Sequence, residues 1–274
     1  MPDGMKQVLW IGGLAVMLAV TGLNPCNGQI IRVGVKAGPQ LSWFKSDDPK
    51  YRAVADIKPV IGFHAGAVIS FKVKDRYFLT TELIYSQKGK VATGKVDPDL
   101  NDKVTYHHID LPVLFAYHFK GHIAKTREFK WYVNAGPNIS YWLGGRGVIE
   151  SGDIKENHLS EVKYKIKFGE RPNNNDIDIL YIKEAQRLQF GMNVGAGIIL
   201  EPGGNRKVMV DLRYEIGHTR IGTPESSQFL VAADYQDNLK GRNKGLRLSI
   251  VYLLEFSTRN ADINKGKSTS KQKF

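Results

Sequence analysis

The chain has 274 residues, a formal net charge of +12 and a single cysteine, Cys26. This length allows one large domain or two ordinary ones with ample material for a core, and one cysteine excludes an intrachain disulfide. The excess of lysine and arginine is compatible with nucleic acid, with anionic lipid or with simple solubility, so the charge alone selects no partner.

Residues 1–28 are typical of a secretory signal peptide. Lys6 precedes the apolar run VLWIGGLAVMLAVTGL, and the small-residue, helix-breaking stretch NPCNGQ follows it. The run is shorter than the roughly 20 residues of a membrane-spanning helix, which disfavours a single-pass anchor. Cys26 would permit a lipoprotein signal, but Pro25 directly before it disfavours acylation. We therefore predict cleavage near Gly28 and Gln29, which leaves a mature chain without cysteine.

From Gln29 onward, apolar and polar residues alternate with period two, the pattern of β-strands. In LTTELIYSQKGK, for example, Leu83 and Tyr85 alternate with Glu82 and Ser86. Eight such segments lie, in chain order, at residues 33–43, 61–73, 77–88, 105–119, 129–143, 188–200, 208–216 and 246–256. The number is even, and strands of about ten residues are long enough to cross a bilayer when tilted.

The connections between these segments alternate in length. Short connections are expected around Lys74 and Asp75, at residues 120–128 and at residues 202–207, whereas residues 45–58, 89–103, 144–187 and 218–244 form long ones. An outer-membrane barrel that begins in the periplasm has short turns on the inner side and long loops outside. The alternation therefore predicts a cell outer membrane location with both termini periplasmic.

Together these features predict an all-β fold: an eight-stranded antiparallel transmembrane β-barrel with up-and-down meander connections. The signal peptide covers residues 1–28, the barrel domain residues 29–256 and a disordered basic tail residues 257–274. Aromatic residues near the strand ends are expected in the two interfacial girdles: Trp43, Phe44, Tyr77, Tyr85, Phe119, Phe129, Trp131, Tyr141, Tyr214 and Phe256. The alternative is a soluble exported lipocalin-like barrel that binds a small apolar ligand inside.

Several segments also resemble a known family. The segments ELIYSQKG, YHHIDLPVLFAYHF, VNAGPNISYWLG, GMNVGAGIIL, VDLRYEIGHTRI and LRLSIVYLLEF resemble the PorT-like outer-membrane β-barrel family, related in architecture to OmpA- and OmpX-type barrels. The resemblance extends over about residues 34–256 and implies a barrel without an assigned activity; the founding member is tied to type IX secretion. It also implies that Tyr252 and Phe256 act as the signal for the outer-membrane assembly machinery, although here a tail follows them.

Nine charged residues fall on the predicted inward face: Lys36, Lys72, Glu82, Lys88, Asp110, Asp211, Arg213, Glu215 and Arg247. An eight-stranded barrel is only wide enough for side chains to fill it, and an unpaired charge in a confined interior is costly. We therefore predict a network of internal ion pairs that fills the lumen; a conducting polar pore is the alternative.

No catalytic site, metal site or cofactor is predicted, and the chain is expected to be non-enzymatic. His107 and His108 are neighbours on a strand and point to opposite faces, so they cannot chelate one ion together. Ser86, His108 and Asp110 permit a hydrolase hypothesis, but the nucleophile motif G-x-S-x-G is absent from the sequence. Paired interior polar groups explain these residues more simply.

The tail carries five cations among serine, threonine, asparagine and glycine: Arg259, Lys265, Lys267, Lys271 and Lys273. It is either a solvated basic end or a salt-sensitive contact with acidic periplasmic proteins or head groups. The predicted partners are outer-membrane lipid, the outer-membrane assembly machinery, and secretion-system subunits or periplasmic proteins, but not nucleic acid. Two functions follow as hypotheses: contact with ligands or partners through the long loops, chiefly residues 144–187, or an accessory role in a type IX protein secretion assembly.

Overall fold

The computed structural model describes residues 30–123, 127–156, 158, 160–170, 178–223, 227–228 and 238–257. The predicted signal peptide and the five cations of the predicted tail lie outside the described residues. One compact unit comprises Arg32–Glu255; of the other, Met1–Ile31 and Phe256–Phe274, only Ile30, Ile31, Phe256 and Ser257 are described. Within the described ranges, no helix has the length and apolar character needed to cross a membrane.

The described residues form twelve strands and two short helices. The strands are β1 (Ile30–Ser46), β2 (Ala55–Lys58), β3 (Val60–Lys74), β4 (Tyr77–Gly94), β5 (Asn101–Ile123), β6 (Arg127–Glu150), β7 (Val162–Phe168), β8 (Ile179–Ile182), β9 (Leu188–Gly203), β10 (Arg206–Gly217), β11 (Ser227–Gln228) and β12 (Gly241–Ser257). The helices are α1 (Pro49–Val54) and α2 (Gly152–Glu156).

Eight long strands close into a ring. Strands β6, β5, β4, β3, β1, β12, β10 and β9 are hydrogen-bonded in that order, and pairing between β6 and β9 completes the circle. Each strand of the ring therefore neighbours the next long strand along the chain. The prediction of an eight-stranded up-and-down barrel is confirmed. We call the end with the tight β3–β4 and β9–β10 connections the turn end and the opposite end the loop end.

The strands extend further than the sequence pattern indicated. β4 continues to Gly94 and β5 begins at Asn101, so the predicted long connection at residues 89–103 shrinks to residues 95–100. Likewise β5 reaches Ile123 and β6 starts at Arg127, which places most of the predicted turn at residues 120–128 in strand. The predicted length is therefore wrong for the first connection, whereas the second is short as predicted and only its bounds differ. The strands run on because the ladder hydrogen bonds of a hairpin do not require an apolar outer face.

The outer wall carries a belt of exposed apolar side chains, which is the reverse of a soluble barrel. Ile61 is 78% exposed, Phe115 67% and Ile250 65%, and each lies on the face that the alternation assigned to lipid. A belt of this extent exceeds the apolar patches that monomeric soluble proteins normally expose. The lipocalin-like alternative, which needs the apolar face inside, does not fit this arrangement.

Aromatic side chains border the belt at both ends. At the turn end, the Tyr77 and Tyr117 ring centroids are 4.9 Å apart; at the loop end, Tyr85 Oη lies 2.6 Å from His107 Nδ1. Ten residues separate Tyr117 from His107 on β5, about 33 Å of strand at about 3.3 Å per residue. A tilt of about 40° reduces this to roughly 25 Å, the height of the apolar band of an outer-membrane barrel.

One predicted girdle residue lies inside. Phe44 is 3% exposed and shares its strand face with the inward Gln40 and Ser42, so its side chain points into the barrel. The girdle prediction is therefore wrong for Phe44. Tyr252 and Phe256, the predicted assembly signal, are both exposed.

Two glycines allow the first and last strands to close the ring. A Cβ atom on Gly38 would lie 1.9 Å from the Leu248 carbonyl oxygen, and one on Gly34 would lie 1.8 Å from that of Tyr252. Real Cβ atoms do not approach a carbonyl oxygen so closely. Glycine is therefore required for β1 and β12 to pair at this separation.

The connections at the loop end fold into a compact cap, which we call the loop-end cap: α1, β2, α2, β7, β8 and the residues around Ile221 and Leu239. Its apolar core is one cluster of buried residues: Phe44, Leu100, Val104, Tyr106, Trp142, Ile149, Ile154, Tyr164, Ile166, Leu180, Ile182, Ile221 and Leu239. Much of the predicted loop at residues 144–187 is therefore folded and packed on the barrel mouth.

Candidate functional site

Four charged side chains in the half of the lumen nearer the turn end form a closed ring of ion pairs, which we call the lower quartet. Lys36 Nζ lies 3.2 Å from Glu82 Oε1 and 3.4 Å from Asp211 Oδ1. Arg213 completes the ring, 2.7 Å from Glu82 Oε2 and 3.1 Å from Asp211 Oδ1. All four side chains are buried, and each cation bridges both carboxylates.

A second ring repeats the design closer to the loop end, and we call it the upper quartet. Lys88 Nζ lies 3.1 Å from Asp110 Oδ1 and also pairs with Glu215. Arg247 lies 2.5 Å from Glu215 Oε2 and also pairs with Asp110. Again one lysine and one arginine each bridge two buried carboxylates, so each quartet carries no net charge.

The quartets connect opposite walls of the barrel. Glu82 and Lys88 lie on β4, and Asp211, Arg213 and Glu215 lie on β10. Three strands of the ring separate β4 from β10 in either direction. The Glu82–Arg213 and Lys88–Glu215 pairs therefore cross the lumen. Charge-assisted hydrogen bonds of this kind are the stronger ones in proteins, and pairing is what makes the burial of these charges tolerable.

Neutral side chains complete the coordination of the buried charges. Asp211 accepts hydrogen bonds from Tyr132 (2.6 Å) and Asn134 (3.2 Å). Asp110 accepts hydrogen bonds from Ser86 (2.7 Å) and Ser140 (2.5 Å). Arg247 donates a hydrogen bond to Gln40 (3.0 Å). Ser86, Gln40, Asn134 and Ser140 have the strand parity of the polar face, but nothing in the sequence marked them as hydrogen-bond partners of particular charged groups. Tyr132 stood on that face as well, and its role was missed because an aromatic ring there has no distinctive pattern.

Eight of the nine predicted inward charges thus meet in the quartets, and Lys72 does not. Lys72 lies at a register irregularity close to the end of β3, and its side chain is only half-buried. Within the described part of the chain it makes no ion pair. At the mouth of the barrel, water can solvate a lysine, so no internal partner is needed.

Apolar clusters lie on both sides of the quartets. Toward the turn end an apolar cluster consists of Val68, Phe78, Ala116, Tyr132, Ile199, Met209, Val251 and Leu253, and the polar side chains of Ser70, Thr80 and His118 line the same part of the lumen. Arg32 lies over the Phe78 ring at 4.2 Å and pairs with Glu255 at 2.8 Å. Toward the loop end, Tyr106 and Trp142 belong to the core of the loop-end cap. The quartets therefore lie between a mixed layer of apolar and polar side chains at the turn end and the apolar core of the loop-end cap.

The residues of the hydrolase hypothesis are arranged to solvate a carboxylate. Ser86 Oγ donates to Asp110 Oδ2 at 2.7 Å, and Asp110 is already engaged by Lys88, Arg247 and Ser140. The serine proton is thus directed to Asp110, and neither ring nitrogen of His108 has a side-chain hydrogen-bond partner among the described residues. Elsewhere, among the residues that the structure describes, no group of three or more potential metal ligands occurs.

Comparison with known proteins places the barrel in a family. The model of the family described as outer membrane protein beta-barrel domain matches residues 27–221, and no curated protein matches significantly. Similar solved structures include OprG from Pseudomonas aeruginosa, with 12% identity, a TM-score of 0.45 and coverage of 84% of this chain and 96% of that one. Neisserial surface protein A has 14% identity, a TM-score of 0.37 and coverages of 82% and 97%. Ail of Yersinia pestis has 11% identity, a TM-score of 0.32 and coverages of 84% and 100%.

The lower quartet predicts a marked cost for removing one charge. Glu82→Gln leaves Lys36 and Arg213 with only Asp211, and we expect the free energy of unfolding to fall by about 3–5 kcal/mol. Adding Lys36→Met restores neutrality, so the double variant should be more stable than Glu82→Gln alone. The measurement is urea unfolding of the refolded barrel in detergent micelles, followed by tryptophan fluorescence.

The matched control is Glu201→Gln, which removes an exposed carboxylate that pairs with Lys130 at 2.6 Å and Lys207 at 2.8 Å. Surface pairs contribute about 0–1 kcal/mol, so this change should be nearly silent. Equal unfolding midpoints for Glu82→Gln and the wild type would contradict the stabilising role of the lower quartet.

Proposed function

This chain belongs to the outer membrane protein β-barrel domain family, and we propose from that premise that it is a non-enzymatic, non-conducting barrel whose loop-end cap contacts ligands or partners outside the cell. The observation that carries this proposal is the layered lumen. Two neutral quartets cross it, with the buried cluster of the turn end on one side and the core of the loop-end cap on the other. An outer-membrane location follows from the family.

A lumen built in this way is unsuited to conduction. Lys88, Asp110, Glu215 and Arg247 are each within ion-pair distance of two opposite charges, so a passing ion would have to displace a protein charge from its partners. Breaking one buried ion pair costs about 3–5 kcal/mol, and two ion pairs of a quartet must break before the quartet opens. Transport through the centre is therefore not the proposed role.

The loop-end cap is the part of the barrel best suited to binding. Its core buries thirteen residues from the barrel strands, α2, β7, β8 and the connections. This packing gives a preformed surface over the described residues of the cap. Asp47 links the connections by accepting from Arg220 at 2.9 Å, and Arg242 lies 3.4 Å away. The hydrogen bond from Arg220, aided by Arg242, holds the pKa of Asp47 below its usual range. A preformed surface loses little conformational entropy on binding.

The first test is conductance. We expect the purified wild-type barrel, inserted into a planar bilayer, to give no stepwise conductance, because the quartets and the clusters on both sides of them fill the lumen. A porin of known conductance, inserted in the same bilayers, shows that the assay works. Stable single-channel steps from this chain would overturn the closed-lumen proposal.

The second test is orientation. The loop-end cap is proposed to face the outside, with both termini periplasmic. A Lys155→Cys variant in the cap should therefore react with a membrane-impermeant maleimide on intact cells, whereas Asp75→Cys at the turn end should react only after permeabilisation. Lys155 and Asp75 are both exposed, so accessibility differs only by side of the membrane. The opposite labelling pattern would place the turns outside.

A finer placement, in the PorT-like family, is also proposed and rests on the resemblance of the strand segments. It brings a second candidate function, an accessory component of a type IX protein secretion assembly, for which the basic residues 257–274 would contact periplasmic proteins. Deleting residues 257–274 should then reduce secretion of type IX cargo by the source bacterium while leaving the heat-shifted barrel band on gels unchanged. Undiminished secretion after this deletion would leave only the surface role.

A further inference from the structure

One outer face of the loop-end cap is strongly cationic, and we call it the basic face. Above the lipid-facing belt, β4, β5 and β6 continue and are joined by β2 and β7. The pairing register aligns their outward residues in rows: Lys58, Val91, Lys103, Val148 and Lys163 form one row, and Gly89, Thr105, Arg146 and Lys165 form the next. The cations of this face are Lys58, Lys103, Arg146, Lys163, Lys165 and Lys167, and all six are exposed.

These charges are poorly compensated. Arg146 and Lys165 stand directly opposite each other across β6 and β7, a like-charged pair that destabilises a sheet. Lys163 pairs with Glu161 at 2.9 Å; in the described ranges, no carboxylate forms an ion pair with any of the other five cations.

The fold does not require cations on this face. On β7, Tyr164 and Ile166 point to the opposite side and are buried in the cap core, so the inward residues attach the strand. Neutral polar residues at the outward positions would leave those contacts intact and would relieve the repulsion between Arg146 and Lys165. The cationic character of the face therefore needs an explanation outside folding.

The basic face begins where the apolar belt ends. Thr105, in the row of Arg146, lies two residues beyond His107 of the loop-end aromatic band on β5, about 7 Å along the strand. Further out, the next row holds Asp56 and Glu150 in place of cations. The positive charge is thus concentrated at the level where lipid head groups meet the aromatic band.

We propose that the basic face binds the phosphate groups of phosphorylated glycolipid head groups in the leaflet at the loop end. Arg146 presents a planar guanidinium that suits bidentate contact with phosphate, and Lys165 on the next strand stands about 5 Å away. A phosphate between the two converts their repulsion into shared attraction. The other lysines extend the site to neighbouring phosphates.

The residues between the cations favour lipid over a soluble polyanion. Val91 and Val148 alternate with the lysines of the first row and are only half-buried. A surface of alternating cations and valines suits the boundary between head groups and acyl chains, whereas a sulfated polysaccharide in water would gain nothing from the valines. This inference rests on the proposed membrane barrel and deepens the proposed role of its cap.

The test uses the full-length barrel in uncharged detergent and measures its affinity for bisphosphorylated lipid A by native mass spectrometry. The variant is Arg146→Gln/Lys165→Gln/Lys167→Gln. We expect at least about tenfold weaker binding, since the variant removes three cations that attract an anionic lipid surface. The control, Lys50→Gln/Arg52→Gln/Lys95→Gln, removes the same charge from exposed residues of the cap that lie off the basic face, and its affinity should match the wild type.

Three further arms decide the outcome. Lys165→Arg/Lys167→Arg should keep wild-type affinity, and fully dephosphorylated lipid A should bind more weakly than the phosphorylated form. Inorganic phosphate or heparin should not displace lipid A at matched phosphate or sulfate concentration. Equal loss in variant and control, indifference to the phosphates, or tighter binding of heparin would each overturn the proposal. A heat-shifted gel band verifies that every variant is folded. The conductance test does not depend on these residues, so a failure of the lipid-binding proposal can be distinguished from a failure of the closed-lumen proposal.

Discussion

The ion pairs between β4 and β10 are the interaction on which the rest of the barrel depends. In a ring of eight strands whose outer wall faces lipid, an apolar side chain loses little by turning outward, so the apolar clusters alone do not specify the register. Glu82 with Arg213 and Lys88 with Glu215 supply that specificity across the lumen. A slip of one residue in β4 would place Leu83 in the lumen and Glu82 in lipid. Because burying an unpaired charge is costly, the quartets fix the register of opposite walls at the same time.

The same strands reverse their polarity when they leave the lipid. Along β5 the inward residues change from Asp110 in the upper quartet to Tyr106 and Val104 in the apolar cap core. The outward residues change from Phe115 in the belt to Lys103 on the basic face. The cause is the solvent: once water surrounds the strands, the hydrophobic effect again favours apolar side chains inside. In the cap the strands therefore have apolar residues inside and polar residues outside, as in a water-soluble sheet. In the barrel the same strands have the opposite arrangement.

This reversal explains how far the sequence could predict the structure. The alternation of apolar and polar residues predicted which face Lys36, Asp110 and Arg247 occupy, because successive side chains of a strand point to opposite faces whatever the strand pairs with. It could not tell that Lys36 meets Asp211, since the two are 175 residues apart and meet only through the closure and stagger of the ring. It also ended β4 too early, although the inward Lys90 and the outward Val91 continue the same alternation beyond Lys88. Phe44 was misplaced although its parity with Gln40 and Ser42 already indicated the interior.

The two sets of charges in this barrel differ in a way that bears on function. Inside, where folding cannot tolerate an isolated charge, each cation of the quartets contacts two carboxylates. On the basic face, where folding would accept neutral residues, Arg146 and Lys165 are set against each other. Charge that the fold needs is therefore compensated within the chain. Charge that the fold does not need is left uncompensated and gathered at one level of one wall, and its natural complement is an anion supplied from outside the chain.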